Sequence, residues 1–98
     1  MTTTATFVRN IIGWRGDAKL YRVAPPVSYG YDSDADGAEG TTDHVIVSAA
    51  RVPFSGPETY IFAADAAGKV INWAEMPGSF RGDLDHEAAL KGAGWVVA

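Results

Sequence analysis

Residues 32–43 read DSDADGAEGTTD, which puts Asp32, Asp34, Asp36 and Gly37 at positions one, three, five and six of a calcium loop. A hard cation needs several oxygens converging on it, and alternate carboxylates around a glycine turn supply them. The remainder departs from that pattern. Position twelve is Asp43, shorter than the bidentate glutamate expected there, and position eight is Glu39 where an apolar residue normally anchors the loop. The preceding PPVSYGY excludes an incoming amphipathic helix. Asp32, Asp34 and Asp36 therefore stand as candidate metal ligands, with a solvated acidic loop as the favoured reading and no cofactor expected.

Other chemistry is thinner. HEAAL (86–90) begins like a zinc-protease helix, but Leu90 takes the place of the second histidine, and His44 is the only other histidine. Asp85, His86 and Glu87 are neighbours on a short helix, so their side chains diverge rather than converge on one substrate. No serine sits in a strand–Gly-x-Ser-x-Gly–helix arrangement, and there is no cysteine to act as nucleophile or thiolate ligand. The expectation is a protein without catalysis.

Arg-Gly-Asp occurs twice, each time after an aromatic residue: Trp14-Arg15-Gly16-Asp17 and Phe80-Arg81-Gly82-Asp83. The flanks share no pattern and lead into different elements, a strand and a helix, so this is not a duplication. A structural account suffices for both: the aromatic plugs the core, glycine permits the turn, and aspartate accepts nearby backbone N–H groups. Arg81 is expected to stack on a ring or to pair with Asp85, and His86 to sit exposed in the first helical turn.

The elements that would position these residues can be read from periodicity. TFVRNIIGW (6–14) fits a short helix or an irregular strand equally well. KLYRVA (19–24) alternates as a strand that Pro25-Pro26 should stop, and residues 25–42 then form a long acidic loop. DHVIVSAARV (43–52) is apolar on both faces, as an interior strand is. TYIFAA (59–64), the turn DAAGK and KVINWAEM (69–76) complete an antiparallel meander. Asp83 or Asp85 caps a short helix with Leu84, Ala88 and Ala89 facing inward, glycines 92 and 94 close it, and WVVA adds an edge strand. The predicted fold class is α+β: an antiparallel meander of three to five strands with one short C-terminal helix packed on it, in a single domain spanning 1–98.

Of the 98 residues, 47% are hydrophobic and 20% charged, enough for a packed core. The net charge of −4 is uneven: residues 32–43 hold five acids and no base, whereas residues 1–31 hold four bases and one acid. No basic nucleic-acid footprint, membrane span or signal peptide is evident, and the lack of cysteine fits a reducing compartment. The eleven aromatics either pack on the open face of the sheet or form a surface for a partner or a second copy.

The strings GPETYIF, INWAEMPGSFRG and LDHEAALKGAGW resemble a group of small proteins of tailed phages infecting actinobacteria, over roughly residues 43–95. That resemblance implies an accessory protein made in the cytoplasm of an infected host and contacting a host or phage protein. The expected function is protein–protein binding, with a homodimer included. A virion accessory component and a calcium- or small-ligand-binding protein are the alternatives. The candidate contact residues are Tyr29 and Tyr31 beside the acidic loop, and Phe80, Arg81, Asp85 and His86 on the other side.

Overall fold

The computed structural model describes residues 2–12, 16–29, 40–52, 56–72, 75–76 and 78–98. In chain order its elements are β1 (Thr4–Ile11), β2 (Asp17–Tyr29), β3 (Gly40–Val52), β4 (Gly56–Ala64), β5 (Val70–Asn72), β6 (Phe80–Arg81), α1 (His86–Gly92) and β7 (Val96–Val97). The strands form one sheet in the order β5-β4-β3-β2-β1-β7, with β6 also paired to β4. Every pairing is antiparallel except that of β7 with β1, which is parallel.

The three-to-five-stranded antiparallel meander is therefore corrected to a strongly curled, mixed sheet that makes a half-barrel, with 64% of the described residues in strands. Three local features account for the difference. The ambiguous segment after Thr4 is a strand whose alternation is broken by a bulge: Phe7 pairs with Tyr21 and Arg9 with Leu20, leaving Val8 as the extra residue. β2 is not stopped by its prolines. Arg22 pairs with His44 and Val27 with Thr42, so residues 23–26 of β2 stand against Asp43 alone, and the exposed Pro25 and Pro26 fall in a bulge where no ladder donor is required. Third, β6 has two residues, too short for periodicity to reveal, and β7, expected as an edge strand, pairs parallel to β1 and makes the sheet mixed.

The expected 25–42 loop accordingly narrows: residues 25–29 and 40–42 are strand, and 30–39 lie outside the described residues. Of the expected strand over 69–76, Val70–Asn72 is strand and residues 73–74 lie outside the described residues; the Met76 N–H donates to the Ile61 carbonyl at 2.9 Å and its side chain is buried.

Both faces of the sheet are apolar, and each is covered differently. On one face Ala5, Tyr21, Val23, Val45, Val47, Ile61 and Ala63 pack with Met76 and with Ala89 and Leu90 of α1. The helix is held there by its caps. Asp85, and not Asp83, is the N-cap, accepting the Ala88 N–H at 3.0 Å. At the other end Gly94 N–H donates to Lys91 O and Trp95 N–H to Leu90 O, the paired bonds of a Schellman ending that turns the chain into β7. The inward stripe is Ala89 and Leu90; Leu84 and Ala88, expected to share it, are exposed.

The second face holds Ala18, Leu20, Ile46 and Ala64, flanked by Ile11 and Val70. The sheet covers it by curling over it. β1 and β4 are separated by β2 and β3, yet the Arg9 guanidinium of β1 donates to Ala67 O in the β4–β5 turn at 2.7 Å. Gly68 makes this approach feasible: its φ is +85°, and a Cβ there would stand 2.8 Å from Arg9 Nη2 and 2.9 Å from Ile11 Cδ1.

If the curled face is a genuine second core, Ile46→Ala should cost about 2–5 kcal/mol. Urea denaturation should show a lower midpoint at unchanged slope. A loss below about 1 kcal/mol would mean that Ile46 is not tightly packed.

Candidate functional site

The structure uses most of the contact residues singled out in the sequence for its own architecture. Tyr29 ends β2, half-buried against the helix-side core, and its ring covers Gly40, its cross-strand partner. Phe80 also packs on that core. Arg81 pairs with Glu58 and not with Asp85: its Nε lies 3.4 Å from a Glu58 carboxylate oxygen and donates to the Tyr60 hydroxyl at 3.3 Å. Glu58 is 4% exposed and Arg81 70%, so an exposed cation caps a buried carboxylate at the β4–β6 pairing. Tyr31, Asp32, Asp34 and Asp36 lie outside the described residues.

His86 is not an exposed first-turn residue. Its side chain is only 12% exposed, and Nε2–H donates to the Asp17 carbonyl at 2.8 Å, with an Asp17 carboxylate oxygen 3.9 Å away. The bond ties the start of α1 to the start of β2. Of the two Arg-Gly-Asp aspartates, Asp83 accepts a nearby backbone N–H as expected, that of Leu84 at 2.8 Å, whereas Asp17 receives His86 on its main-chain carbonyl from 69 residues along the chain. Both glycines take the left-handed conformation, φ +83° at Gly16 and +111° at Gly82. The aromatic-plug reading holds for Phe80, while Trp14 and Arg15 are outside the described residues.

Groups with catalytic chemistry are likewise engaged. Ser79 Oγ accepts the Ile61 N–H and donates to Met76 O, fastening the chain before β6 to β4. Thr59 Oγ1 donates to Asp83 O and accepts the Asp85 N–H. His44 Nδ1–H donates to Asp43 at 2.7 Å, and this bond holds the Asp43 carboxyl below its ordinary range. Among the described residues no three His, Asp or Glu side chains are grouped to hold a metal ion, and no helix is long and apolar enough to cross a membrane.

What the sequence reasoning missed is the edge of β1. β7 pairs only with Thr4 and Ala5, so from Thr6 to Ile11 no strand lies on the side of β1 away from β2 among the described residues. That edge is apolar: Phe7 is 47% exposed, Val8 45% and Ile12 95%. It leads into a groove of about 560 Å³ at the seam of the half-barrel, lined by Arg9, Ile11 and Ile12 on one side and Ala67–Val70 on the other. Phe7 is held by an edge-on contact with Tyr21, ring centroids 5.9 Å apart, and the Lys19 ammonium lies 5.8 Å from its ring centre. The available signal was the pair of adjacent apolar residues, Phe7-Val8 and Ile11-Ile12, which no regular strand can bury on one side.

No protein-family model, curated protein or solved structure matches the chain.

The helix start also gathers charge around Tyr21. Burial pushes its phenol up, and Glu87, Asp17 and Asp85 add to the shift. The unfolded chain therefore releases this proton first, so stability is full below the ordinary phenol value of 10.0 and falls as pH rises above it. Urea midpoints measured across that range should fall more steeply for the wild type than for Tyr21→Phe; equal slopes would contradict the assignment.

Proposed function

We propose that this protein works by binding another protein, accepting an extended segment as an added strand along the outer edge of β1. The observation that carries the reading is the conjunction at one place of an unpaired strand edge, three exposed apolar side chains and an adjoining groove. Strand addition draws its affinity from main-chain hydrogen bonds and its selectivity from pockets for alternate side chains. The β1 edge supplies the first and the seam groove the second. Proteins usually blunt a free edge with a bulge or a charge. β1 carries both, at Val8 and Arg9, yet keeps Phe7, Val8 and Ile12 in solvent, which suits an edge reserved for a complementary partner. The catalytic reading has less support, because His86, Ser79 and Thr59 are each committed to holding the fold together.

The resemblance to small proteins of actinobacterial tailed phages supplies a setting: an accessory factor in the infected host's cytoplasm, with a host or phage protein as partner. A photo-crosslinking amino acid placed at Val8, and at Lys91 as a control, tests the reading in infected cells. A discrete adduct is expected at position 8 only, identified by mass spectrometry and abolished by Phe7→Ser. Equal labelling at both positions, or none at position 8, would contradict it.

A further inference from the structure

Resting on the reading of β1 as a docking edge, we infer that the segment it accepts is acidic, with carboxylates on the alternate residues that face the seam groove. Three cations border the edge: Arg9 on β1, Lys19 on β2 and Lys69 across the seam. None of them has a carboxylate within ion-pair distance among the described residues. Arg9 uses one nitrogen on the Ala67 carbonyl, and its other N–H groups remain for an incoming carboxylate in the fork geometry that guanidinium favours. Asp65, the carboxylate of the neighbouring turn, accepts the N–H groups of Ala67 and Lys69 on one oxygen at 3.0 and 2.9 Å and is within ion-pair distance of none of the three cations. Among the described residues the edge thus carries three cations without an ion pair, in a chain whose net charge is −4.

Register decides where the partner's charges go. Arg9 and Ile11 pair with Leu20 and Ala18, residues of the curled face, whereas Phe7 pairs with Tyr21 on the helix face. An added strand sends successive side chains to opposite faces. One set meets Arg9 and Lys69 at the seam, and the other meets the Phe7 ring and the Lys19 stem. An alternation of acidic and apolar residues over about five or six positions matches both sets and the length of the free edge. The same charges disfavour a second copy, since pairing two β1 edges crowds Arg9 and Lys19 of both chains onto one short ribbon.

The probe is a blocked eight-residue peptide alternating valine and glutamate, with glutamine and lysine counterparts, titrated into labelled protein and followed by amide NMR shifts. The glutamate peptide should move the amides of Phe7–Ile11 and Ala67–Val70 and bind about tenfold more tightly than the glutamine peptide, with the lysine peptide weakest. Lys69→Gln, in an exposed turn, should weaken the glutamate peptide severalfold, Arg9→Gln should do so more strongly, and Lys91→Gln should leave it unchanged. Equal binding of the glutamate and glutamine peptides at these amides would overturn the acidic preference while leaving the docking edge intact. If no peptide moves them, both readings fall. An oligothymidylate that displaces the glutamate peptide at lower concentration, or a dimer in sedimentation that Val8→Glu dissociates, would assign the edge to nucleic acid or to a second copy and overturn the inference.

Discussion

Everything in this fold follows from a sheet that is apolar on both faces and, among the described residues, is given one short helix. Leu20 and Ile46 point one way while Tyr21, Val45 and Val47 point the other, and each set must leave water. The helix α1 can cover one face only. The other is covered by the sheet's own curvature, which the right-handed twist of strands favours and bulges, such as those at Val8 and at residues 23–26, accentuate. The Arg9–Ala67 hydrogen bond marks where the curled ends meet.

Curling without closing has a consequence. A closed barrel has no edges, whereas a half-barrel keeps two, and here β7 protects only the first residues of one of them. Among the described residues the seam therefore joins three things that are usually separated in a small domain: main-chain groups with no paired strand, exposed apolar side chains and cations without an ion pair. Away from the seam, polar groups are spent on the fold. Thr42 Oγ1 donates to Ala64 O at 2.6 Å inside the sheet, Glu58 is capped by Arg81, and His86 locks the helix start to Asp17. The outer edge of β1 is the part of the surface that this internal use of polar groups leaves over.

How far this was legible in the sequence depended on the range of the interactions involved. DHVIVSAARV announces an interior strand because its apolar character on both faces is local, and β3 does lie between β2 and β4. The N-cap at Asp85 and the glycine ending of α1 are also local signals. The prolines misled because a bulge, set by pairing across β3, lets β2 continue past them to Tyr29. β7 was visible as an edge strand, but its parallel pairing to β1 depends on where α1 delivers the chain, and no residue pattern encodes that. For the site, residue type was a poor guide. Tyr29, Phe80 and Asp85 drew notice as aromatic or charged and each has a place in the packing or capping of the fold, while Arg9, Ile11 and Lys69 line a seam that exists only once the sheet has curled.

Residue-resolved hydrogen exchange on the free protein tests the two-faced, half-closed sheet most directly. Amides of Leu20, Ile46 and Ile61 should exchange only through global unfolding, while those of Phe7–Ile11 that point away from β2 should exchange orders of magnitude faster. Uniform protection of Phe7–Ile11 at the level of Leu20 would mean the edge is already covered, and rapid exchange at Leu20 and Ile46 would mean the curled face is no core; either result contradicts the account.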